Sequence, residues 1–133
     1  MAADVKLTPA QVRVLACGSR NWTDVALIRS YLNTLPQPFV LIHGAARGAD
    51  SIAASEAKKM AQTIEAYPAN WNKHGKAAGP IRNRQMLEEG KPHMVLAFRN
   101  DGPSPGTDNM VEMAKAAGLP VIVVESRAAL ARA

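Results

Sequence analysis

The chain has a single cysteine, Cys17, among its 133 residues. One cysteine excludes an intrachain disulfide and any metal site built from several cysteines. No apolar run approaches the roughly 20 residues that a membrane-spanning helix needs, and the first residues lack the apolar segment of a secretory signal. These absences predict a soluble cytoplasmic protein with no membrane partner, and we expect neither a metal nor another cofactor.

Aromatic residues are also few, with two each of Trp, Tyr and Phe, although the net charge is +5. Proteins that bind single-stranded nucleic acid by stacking use several aromatic side chains along a basic groove. Here the 16 Lys and Arg residues are spread along the chain without a long basic run, and several stand close to glycines. This distribution indicates a positively charged cleft for a small anion rather than a surface for duplex DNA.

The length suits one domain with a core, and 47% of the residues are apolar. Short apolar runs alternate with stretches of helical periodicity in the order βαβαβαβαβ. This alternation predicts the α/β class, a Rossmann-like three-layer sandwich whose parallel five-stranded sheet has the order 3-2-1-4-5 and helices on both faces. We expect one domain over residues 1–133 with its core at about 12–125, flanked by residues 1–10 and by a tail, 126–133, able to form a short helix. The predicted strands are Arg13–Cys17, Phe39–His43, Thr63–Tyr67, His93–Phe98 and Pro120–Glu125.

The predicted helices begin at residues that are common at helix N-termini. Between the second and the third helix, residues 69–80 form a polar, glycine-rich loop. Thr23 or Asp24 can cap the first helix, and Asp50 or Ser51 can cap the second. Pro80 suits the first turn of the third helix, and the fourth helix begins at Thr107.

Three of the apolar runs end directly in a glycine-containing polar loop that leads into a helix. Free N–H groups and the dipole at a helix N-terminus both favour an anion such as phosphate. In the predicted order, strands one and four are neighbours at the point where the order reverses, so their loops should face each other across a ligand crevice. The three junctions are Cys17–Arg20, His43–Ser51 and the loop that ends at Pro105–Asp108.

The candidate binding residues lie in these loops, at Trp71 and in the segment Gly75–Met86. Arg47 offers a bidentate fork for an anion, and glycines let the backbone approach a ligand closely. Asp50 either accepts hydrogen bonds from a ribose or only caps the second helix, whereas His43 fits a packed strand end better than a catalyst. Cations near a helix start, such as Arg82, oppose the dipole, and a bound anion would remove that conflict. The candidates are Gly18, Ser19, Arg20, His43, Gly44, Arg47, Gly48, Asp50, Ser51, Trp71, Lys76, Gly79, Arg82, Asn83, Gly106 and Thr107.

Two common nucleotide motifs are missing. The dinucleotide fingerprint G-x-G-x-x-G does not follow the first strand, and no Walker lysine motif occurs in the chain. The motifs that are present resemble the YspA/YpsA-related branch of the SLOG superfamily over about residues 12–124. They are Gly18-Ser19-Arg20, His43–Ser51, Pro68–Trp71, Gly75–Asn83 and Gly106-Thr107.

The resemblance implies a small stand-alone Rossmann-like protein of a kind found in bacteria and phages, related to the Lonely Guy phosphoribohydrolases and to DprA. It implies a nucleotide or nucleotide-derived ligand, which the protein binds as a sensor or processing module. Relatives of this kind often dimerise, so we expect a homo-oligomer, most simply a dimer.

The Lonely Guy enzymes cleave the N-glycosidic bond of nucleoside monophosphates with an arginine of the third helix and a P-G-G-x-G-T-x-x-E loop. Arg82 matches the arginine and is the candidate catalytic residue, and Gly106-Thr107 match the loop. Met110 stands where the pattern has its glutamate. Two alternatives to simple binding stay open: a phosphoribohydrolase-like hydrolase and, third, a single-stranded DNA binder.

Overall fold

The computed structural model describes residues 11–127, which contain one sheet of five parallel strands. The strand order is β3-β2-β1-β4-β5, and β1 pairs with both β2 and β4. The predicted order and the Rossmann-like α/β class are therefore confirmed. The lead-in predicted at residues 1–10 and most of the predicted tail, residues 128–133, lie outside the described residues. The strands are β1 Val12–Gly18, β2 Phe39–His43, β3 Thr63–Ala66, β4 Met94–Arg99 and β5 Val121–Glu125.

Helices cover both faces of the sheet. They are α1 Val25–Leu32, α2 Ala49–Lys59, α3 Trp71–His74, α4 Ala78–Gly90 and α5 Pro105–Ala116, and a 3-10 turn over Gly75–Ala77 joins α3 to α4. None of the helices within residues 11–127 is long and apolar enough to cross a membrane.

Alternate residues of the central strand supply the two apolar layers. Val14 and Ala16 belong to the layer under α1 and α2, whereas Leu15 and Cys17 belong to the layer under α4 and α5. All four are buried. Strands buried on both faces read as continuous apolar runs, which explains why the sequence predicted a parallel sheet.

Of the two residues predicted to cap α1, Thr23 and Asp24, the structure confirms Asp24. The cap predicted for α2 is wrong. The Asp24 carboxylate accepts a hydrogen bond from the Leu27 N–H at 3.1 Å and caps α1. Gly48, and neither Asp50 nor Ser51, precedes α2. Gly48 has a φ of 75°, a conformation that glycine adopts without strain, so this helix begins at a backbone turn instead of a side-chain cap.

The prediction of a loop at residues 69–80 is also wrong, because most of this segment is helical. The Asn70 side chain accepts a hydrogen bond from the Lys73 N–H at 3.0 Å and starts α3, and α4 already begins at Ala78. Likewise α5 begins at Pro105 with Ser104 before it, so Thr107 is the third residue of the helix and not its first. Proline suits the first position of a helix because its missing N–H has no intrahelical partner there.

Gly18 is the last residue of β1 and lies against β4 and the start of α2. A methyl group at this residue would overlap the Phe98 carbonyl oxygen and would lie 2.6 Å from the Ala49 Cβ. Gly106 offers a matched control, because a methyl group there meets no atom within 4 Å.

We expect Gly18→Ala to lower the free energy of unfolding by roughly 2–3 kcal/mol, since backbone and helix must move apart. Gly106→Ala should change it by less than about 0.5 kcal/mol. Urea denaturation followed by circular dichroism measures both values. Equal stability of the two variants would contradict the close packing of β1, β4 and α2.

Candidate functional site

The carboxyl ends of β1 and β4 open into a cavity of ≈ 790 Å³. Its walls come from the β1–α1 loop (residues 19–24), the β2–α2 loop (residues 44–48), the α3–α4 segment and the first turn of α5. Because β1 lies between β2 and β4, this is the point at which the strand order reverses. Open parallel sheets bind their ligands at such a point.

Most of the predicted binding residues line this cavity, although whether each of them binds a ligand stays a prediction. The structure brings together residues from both ends of the chain. Those that line the cavity are Gly18, Ser19, Arg20, Arg47, Asp50, Trp71, Lys76, Gly79, Arg82, Asn83, Gly106 and Thr107.

Four predicted residues do not line the cavity: His43, Gly44, Gly48 and Ser51. The Nδ1 atom of His43 accepts a hydrogen bond from the Ala45 N–H at 3.0 Å, and the Ser51 hydroxyl donates to the Ala46 carbonyl at 2.7 Å. Burial lowers the pKa of His43, and the charge of Arg82 lowers it further. His43 is thus a neutral, packed residue that shapes the β2–α2 loop.

Gly44 and Gly48 permit two close approaches between loops. A Cβ on Gly44 would overlap the guanidinium of Arg82, and a Cβ on Gly48 would overlap the carbonyl oxygens of Ser19 and Arg20. A side chain at Gly48 would push the β2–α2 loop away from the backbone of Ser19 and Arg20, whereas a side chain at Gly44 would displace the Arg82 guanidinium. Gly48 is therefore required by packing and by its φ of 75°, and Gly44 leaves room for Arg82.

Asp50 lies in the first turn of α2 and is only 4% exposed. Its Oδ2 atom accepts a hydrogen bond from the Gly44 N–H at 2.8 Å, and the Ala46 N–H also donates to the carboxylate. Burial raises the pKa of Asp50 to about 6, although the bond from Gly44 and the charge of Arg82 act to lower it. Asp50 therefore holds the β2–α2 loop in place; its predicted contact with a ribose stays a prediction.

Arg82 is held by hydrogen bonds on two sides. Its Nη1 atom donates to the Gly44 carbonyl, and its Nε atom donates to Asn83 Oδ1 at 3.0 Å. The buried Asn83 amide donates in turn to the Gly106 carbonyl at 3.2 Å and to Asn109 Oδ1 at 2.9 Å. Since a guanidinium has five N–H groups, others remain for an anion in the cavity.

The first turn of α5 presents N–H groups and hydroxyls to the same space. The Ser104 hydroxyl donates to Thr107 Oγ1 at 2.8 Å, and the Ser19 hydroxyl lies 3.5 Å from Ser104 Oγ. Ser104 makes no side-chain cap, and Asp108 is the first residue whose N–H bonds back along the helix. The N–H groups of Gly106 and Thr107 thus lie in the turn that favours an anion.

The sequence did not reveal several cavity residues. Ser104 could have been found, since a serine before a proline is a common helix start. Asn109 lines the cavity and bonds to Asn83, a tertiary contact that no sequence pattern indicates. Cys17 lies on the cavity floor, where burial raises the pKa of its thiol and keeps it protonated. The residues not predicted are Cys17, Asn21, Ala46, Pro80, Met86, Pro103, Ser104, Pro105 and Asn109.

Met110 takes the place of the Lonely Guy glutamate and is fully buried in the apolar layer under α5. Among the described residues that line the cavity, Asp50 is the only acid. Within residues 11–127 no three His, Cys, Asp or Glu side chains are grouped as a metal site would require. Four cationic side chains, Arg20, Arg47, Lys76 and Arg82, line the same cavity, so its lining is complementary to an anion.

The raised pKa of Asp50 predicts a specific pH dependence of stability. The folded state binds this proton more tightly than the unfolded state, so the cost of the buried carboxylate is absent at low pH and complete above about pH 6. Asp50→Asn keeps an acceptor for the Gly44 N–H and cannot ionise. We expect the variant to gain about 2–3 kcal/mol of stability relative to the parent chain between pH 4 and pH 7.5. Denaturation curves across this range test it, and parallel pH profiles would contradict it.

Comparisons with known proteins agree with the motifs and the fold. The family model described as "YspA, cpYpsA-related SLOG family" matches residues 12–74. The Gene 61 protein of Mycobacterium phage D29 is 41% identical over 119 residues, which cover 83% of this chain and 94% of that protein. The fold is similar to that of DNA processing protein A (DprA) from Streptococcus pneumoniae, with a TM-score of 0.56 and 14% identity; 86% of this chain is covered, and the chain spans 59% of DprA. The chain belongs to the YspA, cpYpsA-related SLOG family.

Proposed function

We propose that the protein binds a nucleotide or a nucleotide-derived molecule in this cavity, as a sensor or processing module. The observation that carries the proposal is that an anion-favouring helix start, an arginine and an exposed tryptophan line one cavity of ≈ 790 Å³. Pockets for small ligands are roughly 300–1,000 Å³. Membership of the SLOG family and the fold shared with a DNA processing protein support a nucleotide-related role.

The phosphate end of the ligand would bind on the first turn of α5. The N–H groups of Gly106 and Thr107 supply donors there, and Arg82 supplies a positive charge that two hydrogen bonds hold in place. Arginine suits this role because its planar fork donates to two phosphate oxygens at once.

The base would stack on Trp71, whose side chain is 48% exposed at the rim. The Arg20 guanidinium lies 5.7 Å from the centre of the Trp71 ring, a cation–π contact at the same rim. Trp71 is the one exposed aromatic side chain among residues 11–127. A single platform fits one base better than a row of stacked bases, which favours a nucleotide over single-stranded DNA.

Binding without cleavage is the form of this proposal that the site supports better. Cleavage of an N-glycosidic bond calls for a carboxyl group near the anomeric carbon. Asp50 is engaged by two backbone N–H groups, and Met110 lies in the core. Release of ribose 5-phosphate from nucleoside monophosphates, lost in Arg82→Ala, would instead support the hydrolase.

We also propose that the chain acts in the cytoplasm as a single domain that dimerises. In the edge strand β5, Ile122 and Val123 are each 43% exposed. Exposed apolar edge strands readily pair with another chain. Light scattering after size exclusion should give twice the chain mass, and a monomer at micromolar concentration would contradict the dimer.

Trp71 provides the direct test of nucleotide binding. We expect adenine or guanine nucleotides to change the tryptophan fluorescence, and Trp71→Ala to weaken binding by about 1–3 kcal/mol, the typical contribution of one stacked base. Trp22, the other tryptophan, is 2% exposed, so the fluorescence that remains in the variant should not respond to nucleotide.

Isothermal titration calorimetry over a panel of nucleoside 5′-phosphates measures the affinities. No binding by any member of the panel would contradict the proposed function. Equal affinities in the parent chain and in Trp71→Ala would contradict the role of the tryptophan.

A further inference from the structure

We infer that the ligand carries at least two phosphoryl groups, the first bound beside Arg82 on the first turn of α5 and the second at the cavity rim between Arg47 and Lys76. This inference rests on the proposed function and specifies the ligand class of the same site. It selects nucleotides with a phosphate chain over nucleoside monophosphates.

The charges around the cavity are unbalanced. Its lining holds four cationic side chains and one carboxylate, that of Asp50, which leaves a formal excess of three positive charges. A phosphate monoester carries at most about two negative charges near pH 7. A second phosphoryl group is the simplest way for a nucleotide to neutralise the remainder. The four cations are Arg20, Arg47, Lys76 and Arg82.

These cations also lack the partners that other arginines of the protein have. Among the described residues, none of the four cavity cations lies within 4.0 Å of a carboxylate oxygen. Several arginines elsewhere are close to an acid. Those pairs are Arg13–Glu65, Arg29–Glu56, Arg99–Asp108 and Arg127–Asp24.

The cations lie at two levels of the cavity. Arg82 is half-buried beside the buried Asn83, whereas Arg20, Arg47 and Lys76 are exposed. A single phosphate bound next to Arg82 would therefore leave Arg47 and Lys76 without an anionic partner, whereas Arg20 already lies over the Trp71 ring. A chain of two phosphoryl groups can reach from the floor toward the rim.

Repulsion between Arg82 and the exposed Arg20 adds to this argument. Burial lowers the pKa of Arg82, and the positive charge of Arg20 lowers it further, against the opposing effect of Asp50. Like charges that face one cavity cost free energy until an anion lies between them. A phosphate chain would remove this cost along the depth of the cavity.

The test compares AMP with ADP, and inorganic phosphate with pyrophosphate, by calorimetry in magnesium-free buffer at fixed ionic strength. We expect ADP to bind at least about tenfold more tightly than AMP, which corresponds to 1.4 kcal/mol. The double variant Arg47→Ala/Lys76→Ala should lose this gain, because it weakens the binding of ADP by a larger factor than the binding of AMP. Lys73→Ala/Lys115→Ala is the matched control, since it removes the same charge from side chains outside the cavity lining.

The possible results distinguish the inference about a second phosphoryl group from the proposed function. Equal affinities for AMP and ADP, or a rim variant that weakens both by the same factor, would overturn the inference and leave the proposed function standing. If pyrophosphate binds more tightly than phosphate with the expected dependence on Arg47 and Lys76, but no nucleotide binds, the proposed function fails and the inference stands. If none of the four probes binds, both fail.

Discussion

The hydrogen bond from the Gly44 N–H to the buried Asp50 carboxylate is the interaction on which the arrangement of the cavity depends. It fixes the Gly44 peptide, whose carbonyl accepts from Arg82, and Arg82 in turn bonds to Asn83. Asn83 then reaches the first turn of α5 through the Gly106 carbonyl. Three segments that are distant in sequence are therefore set relative to one another by a continuous chain of polar contacts, which is the preorganisation that anion binding requires.

This arrangement has a cost in stability. A carboxyl group that is 4% exposed and the half-buried guanidinium of Arg82, whose pKa is lowered by burial, both oppose folding. The apolar layers on the two faces of the sheet offset that cost, and cavity-lining Cys17 and Met86 belong to one of those layers. Unfavourable burial of charge at one edge of a well-packed sheet is typical of a functional site.

The fold could be predicted from the sequence because its strands and their following loops have clear local sequence patterns. Buried parallel strands such as β2 read as continuous apolar runs, and the glycine junctions indicated the crevice at the correct edge. Helix starts were harder, since Gly48 begins α2 by backbone conformation and Asn70 begins a helix of only four residues. The role of Asn109 could not be predicted, because it arises from a contact with Asn83 that only the tertiary structure creates.

The glycines of the site differ in how closely other atoms surround them, and so in which substitutions they tolerate. Gly44 and Gly48 are enclosed by neighbouring atoms, so any side chain there would disturb the polar chain before it met a ligand. Gly106 is open to space, and the rim residues Arg47 and Lys76 are exposed. Changes at the exposed rim residues Arg47 and Lys76 can therefore alter which molecule fits while the proposed anion site at Arg82 and the first turn of α5 stays intact. One scaffold could in this way serve different ligands in different members of the family.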